Sequence, residues 1–380
     1  MSERAWEFAR VNEGDIPELL ELTRLVHGDT GLANPDYFRW LTVDNPAGRA
    51  IDWVAKAKST GQIVAIVLGV AVDFKIMADE GKAYYPLNLL VHPDFRRQGI
   101  ITELTQHSLE DYRQHGAAFA YGSPGRRLKN AWLKFQPVTM IGQPPLLLCP
   151  FDVKELLSGM GLPGKPLHGL AGLGYRLFKS LSNVNPRRWL GRSGPTNHGM
   201  QLHLEEIVRF DERFDRFWEK TKNKYPVMLV RDAAFLQWRY KDIPLKQYEC
   251  LSCQDHAGEV VGYIVFRNVP LKGVETGMIL DFLTEPSQRG QVAGLRLITA
   301  ATQTLKQAGS AAVVCRMLRH TEECHLLRRQ GYVLLPARLD PWPITLIGRL
   351  WLENVSPAAF FSRNHWFYTL GDWGIDAFSA

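Results

Sequence analysis

Two arginines and a glycine follow the end of an apolar run in Leu89-Leu90-Val91-His92-Pro93-Asp94-Phe95-Arg96-Arg97-Gln98-Gly99-Ile100-Ile101-Thr102. The order is that of a strand closed by proline, a basic loop, and the first turn of an amphipathic helix. A helix start leaves its first N–H groups without intrahelical partners, and the aligned peptide dipoles make that end positive. Arg96 and Arg97 add charge, and Gly99, past Gln98, lets the backbone approach a ligand closely. Ile100 and Ile101 begin the helix, and Thr102 can add a hydroxyl. Such a corner favours an anion, and a phosphate fits it best.

The elements that must position this corner read as α/β. Helices are expected near 15–27 and 35–42, then strands near 52–57, 62–73 and 84–92. A helix near 99–115, a strand at 117–122 and a helix near 126–135 follow. The pattern then repeats. Tyr37-Phe38-Arg39-Trp40 with Asp44 and Pro46 is matched by Phe235-Leu236-Gln237-Trp238 with Asp242 and Pro244. Hairpin signals at Gly61 and Gly258, strands ending at Pro93 and Pro286, and helices stopping at Gly116 and Gly309 keep nearly the same offset. Such agreement indicates an internal duplication. The expected division is 1–142, then a Pro/Gly-rich helical linker or insertion over 143–199, then a second copy over 200–380. The last strand of that copy is expected at His365 to Leu370.

The corner resembles the acyl-CoA pyrophosphate loop of the GNAT N-acyltransferase superfamily, in which Arg/Gln-x-x-Gly-x-Gly/Ala follows a Val-x-Pro strand end. The whole chain apart from 143–199 resembles tandem GNAT proteins. The resemblance implies two GNAT-like domains with mixed central sheets flanked by helices. It also implies acetyl-CoA or another acyl-CoA as cofactor, held by Leu90, Val91, Arg96, Arg97, Gln98, Gly99, Ile100, Ile101 and Thr102. Asn130, on the following helix, stands where relatives often set an Asn against the cofactor. The sequence departs from the pattern in three places. Ile101 replaces Gly or Ala, and Val292 stands where the second copy should have the residue matching Gly99. Trp132 takes the place of the tyrosine that often protonates the leaving thiolate.

Acyl transfer to an amine needs a neutral nitrogen and a polarised carbonyl. Candidates on the thioester-bearing strand are Tyr84 and Asn88, which strict alternation puts on one face, with Tyr85 on the other. Tyr121 ends the next strand, where ligands bind in open α/β sheets. His92 reads as a solvated charge or a structural hydrogen-bonding group, and Asp281 and Glu285 as edge or interface charges. Trp40, Asp44, Trp238 and Asp242 read as holding each copy together, with the second copy supplying a wall of the acceptor pocket. The expected activity is N-acetyl transfer from acetyl-CoA to a small amine such as an amino sugar. The alternatives are an aminoacyl transferase using aminoacyl-tRNA and a non-catalytic acyl-CoA-binding scaffold or sensor.

Composition bounds these readings. The chain has 380 residues, 46% hydrophobic and 22% charged, enough for two cores. A net charge of +6 suits an anionic cofactor but is too diffuse to argue for nucleic acid. The five cysteines are scattered, and Cys250-x-x-Cys253 lacks the second ligand pair of a zinc site, so no metal is expected. Buried thiols in a reducing cytoplasm fit best. Met1 to Glu7 shows no apolar signal region, and no run reaches the ~18 apolar residues of a membrane span. Arg176, Lys179, Arg187 and Arg188, among Leu177, Phe178, Leu181 and Trp189, read first as an inter-domain helix and second as a membrane-surface or partner-binding helix.

Overall fold

The computed structural model describes residues 4–124, 126–152, 155, 201–271 and 273–372. The first copy runs β1 (Trp6–Arg10), α1 (Ile16–His27), α2 (Pro35–Thr42), β2 (Trp53–Ala57), β3 (Ile63–Ile76) and β4 (Asp79–Val91). It continues with α3 (Ile100–Gln114), β5 (Phe119–Gly122), α4 (Arg126–Phe135) and β6 (Thr139–Gly142). After β7 (Leu146–Pro150), the second copy begins with β8 (Leu202–Glu206), α5 (Glu212–Thr221), β9 (Val227–Leu229) and α6 (Ala233–Tyr240). Then come β10 (Glu249–Asp255), β11 (Val260–Leu271), β12 (Val274–Thr284), α7 (Gln288–Gln307) and β13 (Ala312–Arg316). The chain ends its regular structure with α8 (Glu322–Arg329), β14 (Val333–Leu334) and β15 (Leu346–Leu350), followed by short helical turns.

The two sheets exchange a strand. One is ordered β1-β2-β3-β4-β5-β15-β6, with β9 joining the far end of β3, and the other is ordered β14-β7-β13-β12-β11-β10-β8. In each, among the described residues, a single parallel pair, β4 with β5 or β12 with β13, interrupts otherwise antiparallel neighbours. β15 lies between β5 and β6, pairing Gly348 with Tyr121 and Thr139. β7 takes the same place in the other sheet, pairing Cys315 with Leu147 and Leu334 with Leu147. Each copy thus closes its sheet with a strand encoded by the other half. The linker drawn from 143 is therefore corrected at its start, because Leu146–Pro150 is a central strand of the second sheet. Composition hid it: five residues flanked by Gln143-Pro144-Pro145 look like loop. The basic stretch around 176–189 lies outside the described residues.

The repeated tryptophans meet each other. Asn34 caps α2 through the N–H groups of Asp36 and Tyr37, and Asp232 caps α6 through that of Phe235. Both helices carry their tryptophan to one point, where the Trp40 and Trp238 rings stack at 4.5 Å and 17°. Each indole N–H donates to the other's carbonyl, Trp40 Nε1 to Trp238 O at 2.9 Å and Trp238 Nε1 to Trp40 O at 3.0 Å. The signature thus joins the copies to each other, where sequence assigned it to holding each one together. The aspartates stay local: Asp44 pairs with Arg39, and Asp242 accepts from Gln237.

The C-terminal run from His365 is a second correction. Only Trp366 forms a bridge, to Val227, before a 3-10 turn at Leu370–Asp372. The four cysteines at 250, 253, 315 and 324 are buried, and all five are free. Burial pushes the Cys250 thiol up to about 12 and that of Cys253 to about 11, so both are inert near neutrality. Among the described residues no helix is long and apolar enough to cross a membrane, and no His/Cys/Asp/Glu group could hold a metal.

Because each sheet needs a strand from the other half, residues 1–142 expressed alone are expected not to fold cooperatively. Adding a peptide spanning 340–355 should restore a sigmoidal urea transition. A cooperative transition in the bare fragment would show that the exchange is dispensable.

Candidate functional site

The basic corner of the first copy is open. Gly99 adopts φ +83° as the N-cap of α3 and brings no side-chain cap, and Arg97 before it has φ +65°. A Cβ on Gly99 would meet nothing within 4 Å, so the requirement there is the left-handed backbone itself. Residues Arg96, Arg97, Gln98 and Gly99 are exposed, while Ile100 is buried and anchors the helix start. Among the described residues, the N–H groups of Arg97 to Ile101 donate to nothing in the chain; Thr102 and Glu103 bond back to the Gly99 carbonyl. This is the geometry of an anion cradle.

Beside the corner the sheet forks. β4 and β5 pair only at Ala83 with Phe119 and Tyr84 with Ala120. Beyond Tyr84 the strands part, leaving the β4 edge from Tyr85 to Val91 unpaired on that side. A bulge opposite Val67 adds to the divergence, with Asn88 at φ +53°.

The matching parts of the second copy are closed. α7 begins at Gln288, so Val292 lies inside the helix and no loop remains. Ser287 caps Gly290 N–H at 3.0 Å, and Ser287 and Arg289 both bond the buried Glu285 carboxylate. A carboxylate and a satisfied cap occupy the place of an anion. The second fork is plugged by Glu323 of α8, fully buried, which accepts from Thr284 N–H, Lys224 and Tyr225. Without a gap, Glu323 matches Asn130, which is exposed on α4.

At the apex of the first fork lies a cleft of about 490 Å³, counting the part open to solvent. Tyr85 and Leu87 of β4, Val70 and Val72 of β3, and Tyr121 of β5 form one side. Tyr37, Trp40 and Leu41 of α2 form another. The second copy closes it with Leu229, Phe235, Trp238 and Arg239, and with Gly371 and Asp372 of the C-terminal turn. Behind that turn sits a buried charge cluster. Arg231 bonds Asp281 at 3.2 Å and Asp372 at 2.6 Å, and Asp281 also accepts from Tyr240, Tyr263 and Thr369. Burial pushes the Asp372 carboxyl up to about 6, against the pull of Arg231. Gly371 is required by space, since a Cβ would stand 2.1 Å from the Tyr240 hydroxyl.

The sequence candidates separate. Tyr84 and Asn88 do not share a face, because the bulge breaks the alternation between them. Tyr84 stacks on Tyr112 of α3 at 4.7 Å, away from the cleft, and burial raises its hydroxyl. Asn88 turns to α1, donating to Thr23 Oγ1 at 2.9 Å, and its Oδ1 is buried without a partner. Tyr121 lines the cleft and donates to the Asp372 carbonyl at 3.0 Å; burial holds it protonated. Leu90 is buried on the cleft side of the sheet, and the Val91 carbonyl accepts from Arg96 Nε at 3.4 Å. His92 accepts from Asp94 N–H, the second of the two roles expected of it. Asp281 and Glu285, read as edge or interface charges, are instead buried and paired. Sequence reasoning missed Arg231 and Asp372, which lie 141 residues apart and carry no local signal.

Comparison with known proteins agrees with this geometry. Residues 7–128 match the family described as Acetyltransferase (GNAT) domain, and residues 209–332 match the Acetyltransferase (GNAT) family. The chain belongs to the GNAT N-acyltransferases and is a tandem member, with two GNAT domains in one polypeptide. A comparison with curated protein sequences finds no match. A probable N-acyltransferase from Enterococcus faecalis is similar in structure at TM-score 0.59 and 9% identity, covering 91% of this chain and 73% of that one. N-myristoyltransferase from Saccharomyces cerevisiae gives 0.56 at 11% identity, over 92% and 81%. A tandem GNAT protein from the clavulanic acid biosynthesis pathway gives 0.52 at 14%, over 91% and 98%.

Because the folded Asp372 carboxyl titrates above its usual 3.8, the folded state holds a proton that the unfolded chain has lost between pH 4 and 6. This group therefore makes stability fall as pH rises through that window. Asp372→Asn should flatten the slope in urea melts taken from pH 4 to 7. An unchanged slope would assign the titration elsewhere.

Proposed function

We propose that the protein transfers an acyl group from acyl-CoA, bound in the first copy, to the nitrogen of a small amine held in the cleft between the copies. The observation that carries this reading is the contrast between the copies. One has free loop amides beside an open fork; the other has a capped helix beside a plugged one. Yeast N-myristoyltransferase, similar in fold, binds myristoyl-CoA, which supports an acyl-CoA donor in general. Acetyl-CoA is the donor to test first, with an amino sugar among the acceptors. The free cysteines support a reducing cytoplasm.

The chain's own groups divide the work. The N–H groups of Arg97 to Ile101, with the flanking arginines, hold the pyrophosphate. The unpaired β4 edge from Val91 toward Tyr85 would hold the pantetheine arm by its free backbone groups, with the thioester end toward the cleft. Coenzyme A supplies the activated acyl group and a thiol leaving group. The apolar cleft walls strip water from an entering ammonium, which lowers its pKa and favours the neutral, nucleophilic amine. No dedicated carboxylate base is needed for that step. Tyr121, kept protonated on the other arm of the fork, would give its proton to the departing thiolate once it exchanges its bond to Asp372, and would regain one from the amine nitrogen as that nitrogen becomes an amide.

Acetyl-CoA is expected to raise the melting temperature, since it binds only the folded state. Gly99→Asp should abolish that rise, because it places a carboxylate in the cradle and strains the left-handed backbone. Gln291→Asp, exposed on α7, should leave it intact. If no acyl-CoA of any length shifts the protein, the donor reading is wrong.

Tyr121→Phe keeps the ring in the cleft and removes only the hydroxyl. Steady-state kinetics should show kcat down by about 10²-fold or more with the CoA-induced thermal shift unchanged. An unaltered kcat would remove Tyr121 from the chemistry.

A further inference from the structure

The cleft's hydrogen-bonding capacity is largely spent inside the protein. The Trp40 and Trp238 indoles donate to each other's carbonyls, and Tyr121 donates to the Asp372 carbonyl. Asp372 takes Arg231 on one carboxylate oxygen and the Thr369 N–H on the other. Arg239 Nε donates to the Gly371 carbonyl. What remains to face an occupant is mostly the aliphatic and aromatic surface contributed by α2, α6, β3 and β4, with the Arg239 guanidinium and the Tyr37 and Tyr85 hydroxyls as the polar groups among it.

We propose that this cleft receives the apolar body of the acceptor, so that the substrate is a primary amine on an aromatic or aliphatic framework. The inference rests on the donor reading above and narrows its acceptor. An amino sugar carries a hydroxyl on most of its carbons, and each one buried here without a partner costs about 1–3 kcal/mol. An apolar amine loses no hydrogen bonds beyond those of its nitrogen and gains the burial of its carbons. The cleft adjoins the fork apex at Tyr85, Leu87 and Tyr121, so an amine seated there presents its nitrogen where the acyl group arrives. The second copy then determines specificity: Phe235, Leu229 and Trp238 line the cleft beyond the donor's half.

The test is calorimetric titration of the full-length protein with 2-phenylethylamine, hexylamine and glucosamine, alongside a separate titration with acetyl-CoA. The apolar amines should bind at least about tenfold more tightly than glucosamine. Phe235→Ala should weaken them about tenfold or more while acetyl-CoA binding stays unchanged. Val72→Thr, which keeps the shape and adds a hydroxyl, should narrow the gap between apolar and sugar amines, and it serves where Phe235→Ala fails to fold. Glucosamine binding as tightly as the apolar amines, or none of the three binding, overturns the proposal. So does a pair of variants that change only the preferred acyl length, which would give the cleft to the donor's chain. Loss of acetyl-CoA binding in the unaltered protein would instead strike the donor reading, because the amine titrations are read without it.

Discussion

Everything in this molecule depends on a mutual debt between its halves, in which each sheet is completed by a strand from the other. A sheet lacking the strand between β5 and β6 would expose two rows of unpaired backbone groups, which folded proteins avoid. The exchange fixes the relative placement of the copies, and the Trp40–Trp238 pair locks their contact face. Stacked rings contribute about 0.5–1.5 kcal/mol beyond their buried area. The two reciprocal indole bonds also satisfy donors that would otherwise be stranded in an apolar interior. With that face fixed, the cleft beside it has walls from both copies and a constant shape.

The duplicated corners keep one fold with two different local arrangements. The first copy leaves helix amides and a strand edge unsatisfied, features a folded chain keeps where a ligand completes them. The second copy satisfies the same groups internally, with Ser287 and Glu285 at the helix start and Glu323 in the fork. Asn88 and Asp281 make the same contrast one position deeper. Asn88 keeps a buried oxygen without a partner, whereas Asp281 is held by Arg231, Tyr240, Tyr263 and Thr369. The buried ions of the second half support the C-terminal turn that borders the cleft.

Much of this was legible in the sequence because it is local. The loop from Pro93 to Thr102 announces a strand, a turn and a helix start through residue types alone, and the helices at 16–27 and 35–42 follow their periodicity. The duplication was legible through repeated spacing. What escaped was set by partners far along the chain. Nothing in Leu146–Pro150 says which sheet it enters, and nothing near Asn88 reveals the bulge that turns it away from the face of Tyr84. Val292 pointed to the weaker corner for a different reason: a crowded loop was expected, and the structure has a longer helix instead. Arg231 and Asp372 were invisible because only the closed fold brings them together.

The strand exchange also has a consequence in time. During synthesis the first sheet has all of its own strands by residue 142, but the strand that fills its gap comes only at 346–350. At about 5–20 residues per second, that interval lasts roughly 10–40 s. For that long the nascent first half carries an open gap beside β5, next to the strand of the future fork. The order in which the ribosome delivers the chain therefore makes the proposed donor site one of the last parts of the protein to mature, although its residues are among the first to be made.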